Sequence, residues 1–173
     1  MTCEPLDNNR WRLSFAEPEA AFIMNVLARL ARHYREDIAE LSPELRTFWQ
    51  NGVSVRDAAQ KAEGGEAGES RDVLAESRAD LRSERRELAE SWLRDFELAE
   101  EPWTFEMTTA ERDEFVSMLN DRRLILALEA GITQEDAPAS SKVTVDDRRT
   151  AIMEIDVLGH FIMIMLGPQI FRA

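Results

Sequence analysis

The stretch TTAERDEFVSMLNDRRLILALEAG, residues 108–131, contains the signals of one complete helix. Thr108 and Glu111 have capping-box spacing, in which each side chain accepts a hydrogen bond from the other residue's backbone N–H. Gly131 marks the end, since glycine readily takes the left-handed conformation that closes many helices. Apolar residues at helical spacing form one face: Phe115, Met118, Leu119, Ile125 and Leu126. The stretch therefore predicts a helix with one side in a core.

The sequence on either side of this helix contains further helix and strand signals. Apolar spacing and start signals predict four more helices, over residues 17–40, a short stretch from Pro43, 70–98 and 144–166. Alternation of apolar and polar residues predicts two short strands, WRLSF at 11–15 and EPWTFEM at 101–107. Because two isolated strands are marginally stable, we expect them to pair with each other and pack on the helices. The predicted fold is mainly α, a multi-helix bundle with a minor two-stranded β ribbon.

The composition narrows the class of protein. The length of 173 residues suits a single helical domain, 1–173, and 44% hydrophobic residues argue against a disordered acidic chain. The chain has 34 Asp and Glu residues and 21 Lys and Arg residues. The resulting net charge of −13 disfavours nucleic acid as a partner. The Gly-rich residues 62–70 predict a mobile loop rather than a phosphate-binding loop, since no Lys-Ser or Lys-Thr pair follows them.

Residues 115–136, FVSMLNDRRLILALEAGITQED, resemble a motif of a bacterial family of unknown function that includes the actinobacterial AosR-like oxidative-stress regulators. The matching positions are Leu119, Asn120, Asp121, Arg123, Leu124, Leu126, Gly131, Ile132 and Thr133. The resemblance implies a small cytosolic helical protein without known catalysis. An oxidation switch by intramolecular disulfide needs two cysteines within bonding reach, and Cys3 is the only cysteine, so only an intermolecular disulfide stays open.

Arg122 falls in the middle of the apolar face of the 108–131 helix. A buried guanidinium needs a carboxylate or several carbonyl oxygens, because an unpaired buried charge is very unfavourable. Glu154 and Asp156 lie on the otherwise apolar terminal helix, so we expect an Arg122–Glu154 or an Arg123–Asp156 ion pair in the core. The same projection turns Asp121 away from the apolar face. The alternative is an arginine that binds a ligand or takes part in catalysis.

Four arginines of the 70–98 helix lie in one row beside its leucine seam: Arg71, Arg78, Arg82 and Arg85. We expect them to pair with acids of the first helix, such as Glu36, Asp37 and Glu40. Two other readings stay open, in which the row is an interaction face for an acidic protein or follows the phosphates of nucleic acid.

The sequence predicts no catalytic residue, no metal site and no cofactor. His33 and His160 occur in no Glu-x-x-His or His-x-x-x-His pattern, there is no Cys-x-x-Cys, and no Gly-x-Ser-x-Gly elbow is present. A DNA-binding helix-turn-helix has one weak candidate, residues 43–62, with Arg46, Arg56 and Lys61 as its basic side chains.

The terminal stretch AIMEIDVLGHFIMIML, residues 151–166, is apolar almost all round. It is short for a bilayer span and contains Glu154, Asp156 and His160, so we expect no membrane partner. No signal peptide is visible, which predicts a cytoplasmic protein. A helix without a polar face belongs at the centre of the bundle or at an interface with a partner or a second copy. We favour the central position.

Together these features predict a non-catalytic cytosolic regulatory or protein-interaction domain whose protein partner is unknown. A DNA-binding transcriptional regulator is the first alternative. An enzyme or ligand binder centred on Arg122 is the second.

Overall fold

The computed structural model of the protein describes residues 1–51, 69–99, 101–132 and 144–170. The described chain is mostly helical with a small antiparallel sheet. Its elements are β1 (Thr2–Leu6), β2 (Arg10–Phe15), α1 (Glu17–Arg35), α2 (Pro43–Asn51), α3 (Glu69–Leu98), β3 (Trp103–Thr108), α4 (Thr109–Glu129) and α5 (Val145–Ile170). Most of the predicted loop at 62–70 and the whole of 133–143 lie outside the described residues.

The sheet contains the two predicted strands and one more. Strands β2 and β3 pair antiparallel, with Leu13 opposite Phe105, and β1 pairs with the other edge of β2. The predicted pairing of the two strands is present, but the sheet has three strands rather than two. The β1–β2 hairpin turns through Asn8 and Asn9, whose φ angles of 62° and 61° lie in the left-handed region that asparagine tolerates. Pro5 suits an edge strand, because proline cannot donate a ladder hydrogen bond.

The core lies between the sheet and the helices. Alternation along β2 buries Leu13 and Phe15, and helical spacing along α1 buries Ile23, Leu27 and Leu30. Helix α1 packs along α3. It ends at Arg35, earlier than predicted, and residues 38–40 form a separate 3₁₀ turn.

Helix α4 lies at the centre of the fold. Its predicted capping box is present, with Thr108 N donating to Glu111 at 2.7 Å and Glu111 N donating to Thr108 Oγ1 at 3.2 Å. At its other end Gly131 has φ 60°, which lets Ile132 N donate to Ala127 O at 2.7 Å. The helix contacts α1, α2, α5, β2 and β3.

Helix α5 lies at the edge of the fold, not at its centre. One side packs on α4 and on β1, with Ala151, Leu158, Phe161 and Met165 buried. The opposite side faces solvent. The favoured prediction of a central terminal helix is therefore wrong, because α4 has the neighbours on several sides that a central helix needs. Helix α5 also continues past Gly167 and Pro168 to Ile170.

Candidate functional site

The residues singled out by the sequence fall into two regions. Most of the charged candidates lie inside the molecule, where α1, α2, α3 and α4 meet and where α5 packs on α4. The apolar candidates of residues 151–166 divide between that packed side of α5 and its solvent-facing side.

Asp121 and Arg85 form the centre of the interior network. Arg85 on α3 donates to Asp121, to Glu114 at 2.6 Å and to Ser117 at 2.6 Å. The hydroxyl of Tyr34 donates to Asp121 Oδ2 at 2.8 Å. Burial raises the pKa of Asp121 and that of Tyr34, although the adjacent Arg85 acts against both shifts. The helical projection of the sequence predicted that Asp121 faces away from the core. This prediction is wrong, because Asp121 is buried and links three helices.

Arg82 binds backbone oxygens at the C-terminal end of α1. Its guanidinium donates to the backbone oxygens of His33 at 2.8 Å and Glu36 at 2.9 Å, and His33 O also accepts from Glu36 N at 3.2 Å. It also lies 5.1 Å from the ring centre of Trp49. The expected pairing with acids of the first helix is therefore replaced by contacts with carbonyl oxygens. A cation at a helix C-terminus is also favoured by the helix dipole.

His33 is a buried neutral histidine. Trp49 Nε1 donates to its Nε2 at 3.0 Å, so this nitrogen carries no proton. The other nitrogen, Nδ1, lies 3.4 Å from Glu36. Burial, together with the positive charges of Arg82 and Arg122, lowers the pKa of His33 to about 4. The arrangement holds α1 against α2.

Arg122 forms one of the two expected core pairs. Its Nε donates to Glu154 Oε1 at 2.8 Å, and Arg122 is only 5% exposed. A cleft of about 370 Å³ lies next to this pair, and Glu154 reaches it but Arg122 does not. Its lining residues are Arg29, Leu126, Glu129, Ala130, Asp147, Thr150, Ala151 and Glu154. The guanidinium is therefore closed off from the solvent-linked space that a ligand-binding arginine requires.

The second expected pair is not formed. Asp156 lies on the exposed side of α5, while Arg123 lies over Gly159, where a Cβ would be 3.7 Å from its Cζ. Asp156 and Gly159 are about 60° apart on the helix surface, yet no ion pair joins Arg123 to Asp156 among the described residues. The structure therefore corrects the Arg123–Asp156 hypothesis.

The described half of the arginine row points into the molecule. Arg82 and Arg85 are buried, and the side chains of Arg71 and Arg78 lie outside the described residues. In the helix-turn-helix candidate, Arg46 donates to Ala39 O at 2.6 Å, which ties it to the preceding turn. Its other basic residues, 56 and 61, lie outside the described part of the chain.

Few of the described side chains could bind a metal ion or act as a reactive thiol. Within residues 1–51, 69–99, 101–132 and 144–170, no three His, Cys, Asp or Glu side chains are grouped to hold a metal ion. Cys3 is half-buried in β1, and burial raises the pKa of its thiol. A raised pKa disfavours the reactive thiolate form.

The solvent-facing side of α5 exposes four large apolar side chains. Ile152 is 47%, Met153 62%, Val157 40% and Met163 71% exposed. Several large exposed apolar side chains on one surface are typical of interaction surfaces. By length and composition, Val145–Gly167 is the one candidate membrane span in the described chain, and 22% of its apolar 18-residue window is buried in the fold. This solvent-facing side of α5, which we call the α5 face, is the candidate functional site.

The family-like motif has mainly structural roles. Leu119 and Leu126 are buried, Leu124 is half-buried, Asn120 is exposed and Asp121 joins the interior network. Comparison with protein-family models, with curated proteins and with solved structures finds no match for the chain.

Sequence reasoning did not identify Tyr34, Trp49 or the Arg85–Asp121 pair. Both Tyr34 and Trp49 suit the apolar faces of their helices, and only their polar atoms, which need partners when buried, could have signalled the network.

Proposed function

We propose that the protein is a cytosolic regulatory or interaction domain without catalytic activity, and that it binds a protein partner through the α5 face. The observation that supports this proposal is the run of exposed apolar side chains along one side of α5, including Met153 at 62% and Met163 at 71% exposure. Leaving such side chains in water is unfavourable, and covering them with a partner removes apolar area from water.

The interior network favours this reading over an enzyme. Arg85, Arg122 and Asp121 are the charged groups that a buried reaction centre would use. Each of them forms an ion pair with another side chain of the same molecule: Arg85 with Asp121 and Glu114, and Arg122 with Glu154. Groups held in this way connect helices, so we assign them to stability. The resemblance of residues 115–136 to the AosR-like regulators agrees with a regulatory role.

A DNA-binding regulator is the less favoured function. The chain carries a net charge of −13, and the inward direction of Arg82 and Arg85 removes two of the side chains that could contact phosphates.

Affinity capture with matched variants tests the proposal. The wild type, the double variant Met153→Arg/Met163→Arg and the control Leu98→Arg would each be used to capture proteins from the native cytosol. Leu98 is 82% exposed at the end of α3 and does not belong to α5, so its replacement is a matched change of surface. We expect one captured protein, or a second copy of the chain, to be lost from the double variant and kept by the control. Equal capture by all three proteins would contradict the proposal.

A further inference from the structure

We infer that the occupant of the α5 face is a second copy of this chain, packed antiparallel so that Asp156 of each copy faces His160 of the other. This inference rests on the proposed function, because it names the partner of the same surface. It is supported by the distribution of charge and apolar area on the exposed side of α5.

The exposed side has a polar centre between two apolar edges. At about 100° per residue, Asp156 and His160 lie about 40° apart in the middle of the exposed side. Ile152 and Met163 lie together on one edge, and Met153 and Ile164 lie together on the other. Asp156, His160, Ile152, Met153 and Met163 are exposed and Ile164 is half-buried. The face therefore offers one carboxylate, one imidazole and two apolar borders.

In an antiparallel two-fold arrangement, the α5 faces of the two copies are complementary to each other. When the two-fold axis passes beside position 158, midway between Asp156 and His160, each carboxylate meets the imidazole of the other copy. Ile152 then lies beside Met163 of the second copy, and Met153 lies beside Ile164. An isologous contact of this kind requires a self-complementary surface, and both the charged and the apolar positions satisfy that requirement.

The other arrangement of two copies is disfavoured by charge. In a parallel pair, Asp156 would face Asp156 and His160 would face His160. Like groups facing each other are repulsive, and the net charge of −13 already makes two copies repel at long range. A local pairing of opposite character is therefore needed at the contact, and the antiparallel register supplies two such pairs.

Charge reversal at the two polar positions tests the register. Light scattering and sedimentation at tens of micromolar should show a dimer for the wild type. Asp156→Arg alone places a guanidinium against the imidazole of His160, and His160→Glu alone places a second carboxylate against Asp156. Each variant should therefore weaken self-association by about tenfold or more. An equimolar mixture of the two variants should recover the dimer, since one Arg–Glu and one Asp–His pair then form. Arg149→Glu, exposed at the end of the same side, is the control for a general change of charge.

The outcomes separate this inference from the proposed function. A strictly monomeric wild type, or variants whose mixture does not re-associate, would overturn the antiparallel dimer. If the wild type is monomeric while Met153→Arg/Met163→Arg still loses a captured protein, the proposed function stands and only the dimer fails. If the wild type is monomeric and Met153→Arg/Met163→Arg captures the same proteins as the wild type, both the dimer and the proposed function are contradicted. A monomer that sediments with phosphatidylcholine–phosphatidylserine vesicles would also overturn the dimer, because the lipid surface would then cover the face.

Discussion

Helices α4 and α5 pack against each other, yet their polar and apolar residues are distributed in opposite ways. Helix α4 buries Arg112, Asp121 and Arg122, whereas α5, the more apolar of the two, exposes Met153 and Met163. The difference follows from the number of neighbours: α4 has contacts on several sides and α5 on one. The composition of a helix therefore indicates which side chains it could bury, but the packing of the other elements around it determines which side chains are buried.

The buried charges of α4 are tolerated because each has a defined partner. Asp121 accepts from Tyr34 and Arg85, Arg122 donates to Glu154, and the guanidinium of Arg112 lies 4.1 Å from the ring centre of Trp11. A buried charge is strongly destabilising when its partner is removed, while replacing both partners by apolar groups is much better tolerated. The predictions below use this asymmetry to compare the two helices.

The largest effect is expected at Asp121. Asp121→Ala leaves the buried guanidinium of Arg85 with only Glu114 and Ser117, and it removes the acceptor of the Tyr34 hydroxyl. We expect the free energy of unfolding to fall by about 4 kcal/mol, measured by chemical denaturation. Asn120→Ala, an exposed change one position away, should alter it by less than about 0.5 kcal/mol. Similar values for the two variants would mean that the network does not stabilise α4.

The second effect is a loss of stability in mild acid caused by His33. Its pKa is lowered from 6.5 to about 4, so between these values the unfolded chain binds a proton that the native protein does not. The stabilisation is therefore present above pH 6.5 and is lost as the pH falls towards 4, by about 3 kcal/mol in total. Denaturation curves across this range should give a flatter profile for His33→Gln, which cannot titrate but can still accept from Trp49.

The other histidine provides the control for that experiment. His160 is exposed on α5, so His160→Gln should keep the wild-type pH profile when the protein is measured at low concentration. A profile that is flattened equally by both substitutions would show that burial of His33 is not the cause.

The third effect tests the link between the two helices. Arg122→Met leaves the mostly buried carboxylate of Glu154 without its partner and should lower the free energy of unfolding by about 2 kcal/mol. The double variant Arg122→Met/Glu154→Leu should recover most of that loss, because neither charge then remains buried. Losses that simply add, measured in a double-mutant cycle, would contradict a coupled pair.

Local signals in the sequence predicted the start of α4. The predicted capping box of Thr108 with Glu111 is present, because capping depends only on residues close in sequence. Thr144 and Asp147 form a second capping box at the start of α5. The position of Arg122 in an apolar face also predicted its Glu154 partner, since a buried charge leaves few alternatives.

Features set by topology could not be predicted from the sequence. The projection of α4 assumed one buried side, and for that reason it placed Asp121 in solvent. Strand β1 lacks apolar alternation, since it lies at the sheet edge and includes Pro5, so it gave no strand signal. The centre of the fold was assigned to α5 by hydrophobicity, although which helix is surrounded depends on how all of them pack.

The smallest effect on stability is expected on the α5 face, where the comparison is sharpest. Met163→Arg replaces a side chain that is 71% exposed, so unfolding of the monomer should change by less than about 0.5 kcal/mol. Leu158→Arg, on the same helix but fully buried, should prevent stable folding, because a charge without a partner enters the core. Met163→Arg should nevertheless abolish self-association in sedimentation experiments. If it instead destabilises the monomer, Met163 packs within its own chain, and the apolar face of α5 has a structural role rather than one in binding.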